Sequence, residues 1–188
     1  AMSGADESRS CPAVANGCRE YSGNSANNLE EVFLLDFDIF DDADADAINQ
    51  AKAGWSDGVT ISPESIQVSL ESLKITEDIV YYEFDNDFGF QDTFELSFWS
   101  RGESQELEVY LEQEGQDDPD YFTFNKLTEQ ETAVGIGPEW KQYLVGPVSI
   151  SDITSEKIRL VFDSDKIIGE PLYFLDNVQL NRVSDTYY

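Results

Sequence analysis

Acidic side chains crowd one short stretch, residues 36–46, which reads DFDIFDDADAD. Carboxylate oxygens are the ligands that Ca²⁺ prefers, so the spacing raises the question of a metal-binding loop. Asp42, Asp44 and Asp46 match positions 1, 3 and 5 of an EF-hand loop. Ala47 stands where that loop needs glycine, and Ala53 stands where it needs a bidentate glutamate. The stretch is therefore not an EF-hand, and a solvated acidic loop is the simpler interpretation.

Negative charge dominates the whole chain. Thirty-nine acidic residues face eleven basic ones, for a formal net charge of −28. Such a surface repels phosphate backbones and anionic lipid, so neither nucleic acid nor a membrane is an expected partner. Self-repulsion at this charge is relieved by salt, which favours a saline habitat such as that of a marine bacterium. Histidine is absent, which excludes Ser-His and Cys-His nucleophilic pairs and histidine-based zinc sites, and leaves carboxylate chemistry open.

The chain divides into a polar N-terminal segment and one domain. Its 188 residues suit a single well-buried domain, and no run of 18 apolar residues could span a membrane. Residues 1–28 are rich in Ser, Asn, Gly and Ala and are interpreted as a linker or tag, with the domain at 29–188. Cys11 and Cys18 flank a turn-prone segment, so they form either a local disulfide, as suits an exported protein, or two free thiols.

Alternation of apolar and polar residues predicts an all-β fold. Phe94, Leu96 and Phe98 alternate with polar residues and Trp99, and Leu107, Val109 and Leu111 alternate with Glu108, Tyr110 and Glu112. Period two, repeated between turn residues, is typical of an antiparallel β-sandwich. Residues 43–53 are the one segment that could form a helical turn or two. The predicted strands are VFLLDFDIF (32–40), SIQVSLES (65–72), TFELSFWSRG (93–102), ELEVYLEQ (106–113), KIRLVFDSD (157–165) and LYFLDNVQL (172–180).

Two aromatic residues fall on the polar faces of these strands. If the strands of Trp99 and Tyr110 are neighbours, the two rings form a platform edged by hydrogen-bonding groups such as Arg101. Sugar rings have apolar C–H faces and polar hydroxyl edges, so this arrangement suits a carbohydrate. The alternative is that Trp99 packs beneath a loop or in a second small core.

The last strand carries a carboxylate at an unexpected place. Counting by twos from Leu172 puts Asp176 in phase with Phe174, Val178 and Leu180. A buried carboxylate is costly without a partner, and basic residues are scarce here. A bound calcium ion is therefore the expected partner.

Four segments together resemble the jelly-roll carbohydrate-binding modules of families 4, 11 and 22. They are LLDFDIF followed by Trp55, TFELSFWSRG, PEWKQYLVGPVSI and LYFLDNVQL, in the family order over roughly 29–183. The resemblance implies a β-jelly roll of two antiparallel sheets, a structural calcium, and a glycan cleft on the concave sheet. The implied calcium ligands are Asp38, Asp176 and, more weakly, Asp36. The loop at 41–46 corresponds to one near the calcium in related modules, so one of its aspartates is a further candidate ligand beside the preferred solvated-loop interpretation.

The same resemblance implies roles for the aromatic residues. Trp99, Tyr110 and Arg101 match cleft positions, and Tyr82 is chosen over Tyr81 for the strand IVYYEF. Trp55 and Trp140 match tryptophans that pack in the structure. Tyr121 is a further ligand candidate from a loop.

The expected function is therefore binding rather than catalysis. We expect a secreted, monomeric module of a larger enzyme that binds single polysaccharide chains, with neutral β-glucan first and xylan or mannan next. The alternatives are a glycoside hydrolase or polysaccharide lyase domain, for which a carboxylate pair would suffice, and a ligand-free spacer or adhesion domain.

Overall fold

The computed structural model describes residues 28–37, 48–49, 51–66, 71–89, 91–103, 105–114, 124–127, 132–165 and 171–184. Eleven strands run through these ranges. They are β1 (Asn28–Leu35), β2 (Val59–Ser62), β3 (Ser72–Ile75), β4 (Ile79–Asp85), β5 (Gln91–Gly102), β6 (Gln105–Glu114), β7 (Phe124–Lys126), β8 (Thr132–Ile136), β9 (Lys141–Ser151), β10 (Lys157–Asp165) and β11 (Tyr173–Ser184).

The strands form two antiparallel sheets, which confirms the predicted all-β sandwich. Sheet A has the order β2-β3-β11-β5-β9, and β1 also pairs with β11, beyond the end of β3. Sheet B has the order β4-β10-β6-β7, and β8 pairs with the other end of β6. Apart from β2–β3 and β6–β7, paired strands are not consecutive in the chain, and most contacts that define the fold are long-range.

The core lies between the two sheets and follows the predicted alternation. Its members on β5, β6 and β10 are 0–2% exposed, and each buried side chain of this kind contributes about 1.5–3 kcal/mol relative to leaving it in water. The intervening residues point to the outer faces. The buried sets are Phe94, Leu96 and Phe98 of β5, Leu107, Val109 and Leu111 of β6, and Ile158, Leu160 and Phe162 of β10.

A bulge in β11 changes which of its residues face the core. Asn177 has a positive φ of 46°, and the register with β5 shifts between Asp176 and Gln179. Before the bulge Leu175 faces the core, and after it Val178 does. The prediction that Asp176 is in phase with the core residues is therefore wrong. Asp176 lies on the outer side of sheet A, opposite Trp99 of β5.

Other local predictions have mixed outcomes. The strand proposed at 65–72 is not confirmed, because residues 64–66 are not a strand and β3 begins at Ser72. Helical backbone does occur within 43–53, where the Lys52 N–H donates to the Ile48 carbonyl at 3.3 Å. In the part of the chain that the structure describes, no helix is long and apolar enough to cross a membrane. Predictions on Cys11, Cys18, Asp38, Asp42, Asp44, Asp46 and Tyr121 lie outside the described residues.

Candidate functional site

The outer face of sheet B carries an in-register row of three side chains, Tyr81, Val161 and Tyr110, which we call the tyrosine face. Val161 of β10 pairs with Tyr81 of β4 on one side and with Tyr110 of β6 on the other. Adjacent strands are about 4.8 Å apart, so the two tyrosines stand roughly 10 Å from each other. Val161 is 1% exposed and Tyr110 is 6% exposed, although both face outward. Neighbouring groups therefore cover both side chains, and Tyr81 is the partly exposed member of the row.

A charged row runs beside the tyrosine face, two residues along each strand. Glu83, Arg159, Glu112 and Lys126 pair in that order across β4, β10, β6 and β7, so their charges alternate in sign. Arg159 Nε donates to Glu83 Oε2 at 3.0 Å. Burial raises the pKa of Glu112, an effect that the charges of Arg159 and Lys126 oppose. These groups place hydrogen-bond donors and acceptors along one border of the rings.

A basic side chain lies over each of the two tyrosine rings. The Arg159 Cζ atom lies 3.9 Å from the centroid of the Tyr81 ring, and the Lys126 Nζ atom lies 4.0 Å from that of Tyr110. Lys126 Nζ is also 3.6 Å from Glu108 Oε2. Cation–π contacts at exposed sites are worth about 0.5–1 kcal/mol each. A ligand that stacks on the covered side of either ring must therefore move a cation.

The hydroxyl group of Tyr110 is held as a donor. It hydrogen-bonds to Asp163, the residue of β10 that lies across from Glu108. Burial, followed by the charges of Asp163, Glu112 and Glu108, raises the pKa of Tyr110 well above its usual value. The phenol stays protonated at any physiological pH, and the second border of the tyrosine face is acidic.

Tyr82 faces the core, so the choice of Tyr82 over Tyr81 for the cleft is wrong. Its partner on β10 is the fully buried Leu160. Its ring centroid lies 5.0 Å from that of Phe33 and 5.5 Å from that of Trp55. A Cβ on Gly54 would lie 2.7 Å from the Tyr82 ring, so the segment before Trp55 covers this tyrosine closely. Tyr81, which points the other way, is the outward residue of the pair.

Trp99 and Arg101 lie on the other sheet, so the predicted single platform with Tyr110 is wrong. Their strand, β5, pairs with β9 and β11, whereas the strand of Tyr110, β6, pairs with β7, β8 and β10. The outer faces of the two sheets are on opposite sides of the core. The structure thus separates Trp99 and Arg101 from Tyr110.

Arg101 is committed to contacts within the protein. Its guanidinium carbon lies 5.5 Å from the ring centroid of Trp140 and 4.9 Å from that of Phe174, and it forms an ion pair with Glu64. Trp140 therefore packs on the outer side of sheet A, and the prediction that it packs in the core is wrong. Trp55 does pack against the core as expected, 6.1 Å from the ring of Phe162.

The metal candidates are only partly described. Asp176 is fully buried, and its Oδ1 accepts a hydrogen bond from the Asn177 N–H at 2.8 Å. Leu35, the last residue of β1, pairs with Val178, so the chain beyond β1 leads toward Asp176. Asp36 is exposed there, and Asp38 lies outside the described residues. Within the described ranges no group of three acidic, cysteine or histidine residues could hold a metal ion. The buried carboxylate fits a hard cation, but the described residues alone do not complete a calcium site.

Comparison with known proteins identifies the fold. No family model and no curated protein sequence matches the chain. Among solved structures, the xylan-binding domain CBM22-1 of Xyn10C from Paenibacillus barcinonensis matches with a TM-score of 0.58 and 15% identity, over 86% of this chain and 98% of that one. The CBM22-2 xylan-binding domain of the same protein matches with a TM-score of 0.51 and 18% identity, over 79% and 97%.

An enzyme also contains this fold. The arabinose-bound α-L-arabinofuranosidase MgGH51 matches with a TM-score of 0.53 and 14% identity, over 84% of this chain but 26% of the enzyme. At these identities the likeness shows the fold and not the ligand. It confirms the resemblance to jelly-roll carbohydrate-binding modules at the level of architecture: this chain shares the β-sandwich fold of those modules.

Proposed function

We propose that this chain is a non-catalytic module that binds a single polysaccharide chain along the tyrosine face. The observation that carries the proposal is the in-register row of Tyr81, Val161 and Tyr110 on the outer face of sheet B, bordered by hydrogen-bonding charged groups. Aromatic rings offer stacking surface to the C–H faces of a sugar, and the bordering carboxylates offer partners to its hydroxyl groups. The shared fold of carbohydrate-binding modules supports the same function.

A neutral β-glucan is the proposed ligand, followed by xylan or mannan. Four acidic and two basic residues surround the rings, so the tyrosine face itself is net acidic. They are Glu83, Glu108, Glu112 and Asp163, and Arg159 and Lys126. The chain as a whole carries −28. Both charges repel anionic polymers, whereas neutral chains pay no such cost. Xylan stays in the panel because two modules of similar fold are named xylan-binding domains.

A structural calcium is proposed on the outer side of sheet A. The buried carboxylate of Asp176 supports it, with Asp38 and Asp36 as the further protein ligands. The chain has eleven basic and 39 acidic residues, so basic partners for a buried carboxylate are scarce, and a divalent cation would offset the cost of burying it. Its role would be to fix the junction between the end of β1 and the bulge of β11.

The proposed context is that of an exported, monomeric module attached to a catalytic domain. Binding by a few stacked rings gives modest affinity, because polar desolvation offsets much of the gain. Such a module serves best by holding its attached enzyme near an extracellular polymer.

Affinity electrophoresis tests the proposal. The protein is run in native gels that contain soluble β-1,3/1,4-glucan, xylan, mannan or an anionic polysaccharide. We expect retardation by a neutral polymer, strongest for the β-glucan. Retardation by none of them would contradict the proposed function. Release of reducing ends or unsaturated products during incubation would instead indicate a hydrolase or a lyase.

A further inference from the structure

The ammonium group of Lys126 occupies a defined place over the ring of Tyr110. Its Nζ atom lies 4.0 Å from the ring centroid and 3.6 Å from Glu108 Oε2. Lys126 of β7 is also the direct cross-strand partner of Glu112 of β6. An aromatic face beside carboxylates recognises ammonium groups, because cation–π attraction and ion pairing act together. We call this arrangement of Tyr110, Glu108 and Glu112 around one cation the ammonium site.

Negative charge around the ammonium site exceeds the positive charge beside it. Glu108 lies directly across from Asp163 of β10, a position in which like charges repel each other. Glu106 is exposed two residues away from Glu108, on the same outer face of β6. The strand that pairs with this part of β6 is β8, which carries no charged residue. Glu112 brings the carboxylates to four, against two basic side chains beside the rings, so a further cation is attracted.

Lys126 is placed where a ligand can take over its position. It is the last residue of β7, a strand of three residues at the end of the sheet B order. Its side chain is 38% exposed, and holding an exposed lysine in one geometry costs rotamer entropy. A neutral ligand that displaces the lysine leaves the carboxylates without their cation. A ligand that brings its own ammonium group replaces the lost charge.

We infer that the ammonium site takes a ligand ammonium group in place of Lys126, so that the tyrosine face binds a polysaccharide of amino sugars more tightly than the neutral chain of the same linkage. This inference rests on the proposed function, because it names a substrate class for the same face. The net charge of −28 attracts such a polymer from a distance. The in-register row continues from Tyr110 to the second ring, Tyr81, which favours a chain of sugar rings over a basic peptide.

Two oligosaccharides that differ in one group per sugar test the inference. A β-1,4-linked glucose oligomer carries a hydroxyl group where the β-1,4-linked glucosamine oligomer carries an ammonium group. In isothermal titration of the wild type at low ionic strength, we expect a Kd for the glucosamine oligomer roughly tenfold below that for the glucose oligomer. Added salt should narrow this difference, because it screens exposed charges.

Variants at the ammonium site, with a charge-matched control, locate the preference. Glu108→Gln keeps a hydrogen-bond acceptor but removes the charge, so the two Kd values should come to within about twofold of each other. Lys126→Ala leaves the carboxylates without their cation and should widen the difference beyond that of the wild type. Lys74→Ala changes the net charge equally but lies on β3 of sheet A, so it should keep the wild-type ratio. Thermal unfolding verifies that each variant is folded at the temperature of the titration.

The outcomes separate this inference from the proposed function. Equal Kd values for the two oligomers in the wild type would overturn the ammonium site and leave a neutral-glycan site on the tyrosine face. A preference that Glu108→Gln retains in full would also overturn it, because general charge attraction would then suffice. A lysine oligomer that binds as tightly, with the same loss in Glu108→Gln, would replace the polysaccharide by a basic polypeptide. A wild type that binds neither oligosaccharide, nor any polymer in the affinity gels, would refute the proposed function and this inference together.

Discussion

Trp99 and Asp176 lie directly opposite each other across β5 and β11, on the outer side of sheet A. The indole is partly exposed, whereas the carboxylate is fully buried. Cross-strand partners are about 4.5–5.5 Å apart at Cβ, so the proposed calcium ligand and the Trp99 indole are immediate neighbours. A change in the position of the Asp176 carboxylate should therefore alter the surroundings of the Trp99 indole.

Calcium should stabilise the protein through Asp176. Ligand binding to the folded state alone adds about 2.7 kcal/mol to the free energy of unfolding at a ligand concentration 100 times Kd. We expect Ca²⁺ to raise the melting temperature of the wild type, EDTA to reverse the rise, and Asp176→Asn to abolish it. Thermal unfolding followed by tryptophan fluorescence measures the shift.

A control for the calcium prediction is Asp36→Asn. Asp36 is exposed and is the weaker candidate ligand, so its variant should keep most of the response to Ca²⁺. A wild type whose melting temperature is the same in Ca²⁺ and EDTA would exclude the structural calcium.

Replacing the two adjacent tyrosines should separate stability from binding. Tyr82→Ala removes a core-packed ring and should lower the free energy of unfolding by about 3 kcal/mol. Tyr81→Ala loses a cation–π contact with Arg159 and should cost only about 0.5–1 kcal/mol. Urea denaturation measures both. A larger loss of unfolding free energy for Tyr81→Ala than for Tyr82→Ala would mean that Tyr81, and not Tyr82, points into the core.

Removing the cation over Tyr110 should strengthen glycan binding. The Lys126 Nζ atom lies 4.0 Å from the ring centroid, and a stacking sugar has to break this contact, at about 0.5–1 kcal/mol. Lys126→Ala should therefore lower the Kd for a neutral oligosaccharide up to about fivefold in isothermal titration. Lys126→Met is the control, because it keeps most of the stem above the ring. Weaker binding by Lys126→Ala would indicate that Lys126 donates hydrogen bonds to the ligand.

Tyr173 should limit stability at alkaline pH. It is fully buried, and its hydroxyl has no hydrogen-bond partner within the described part of the chain. Burial, followed by the charges of Asp163 and Asp78, raises its pKa above the usual 10. The unfolded chain then releases this proton first, so stability is lost as pH rises above about 10, at up to about 1.4 kcal/mol per pH unit.

Tyr173→Phe removes both the alkaline loss and the unsatisfied hydroxyl. We expect the variant to be at least as stable as the wild type at pH 7 and increasingly more stable above pH 10. Urea midpoints across this range measure the difference. A variant that is less stable at every pH would show that the hydroxyl has a favourable partner.

Much of the fold follows from alternation in the sequence, because a residue pattern with period two fixes which side chains a strand buries. The facing of β5, β6 and β10 was predicted on this basis, including the outward positions of Trp99 and Tyr110. The residue pattern of β4 also indicates which tyrosine faces the core, because Val80, Tyr82 and Phe84 alternate with Tyr81 and Glu83. Counting from Val80 would have assigned Tyr82 to the core.

Two features could not be read from local patterns. The bulge at Asn177 shifts the alternation in β11, and a one-residue shift moves Asp176 from one face to the other. Which strands pair is a long-range property, so the sequence did not reveal that β5 and β6 belong to different sheets. Arg159 and Lys126 were missed as site residues for the same reason, because their contacts with Tyr81 and Tyr110 depend on strand order.

The most direct test of the central claim is a comparison of wild type with Tyr81→Ala in affinity gels that contain neutral β-glucan, with Leu29→Ala as the control. Leu29 is a 51% exposed apolar residue of β1, a strand of the other sheet. We expect that β-glucan retards the wild type and Leu29→Ala and that Tyr81→Ala is retarded markedly less. Equal retardation of wild type and Tyr81→Ala would contradict a glycan site on the tyrosine face.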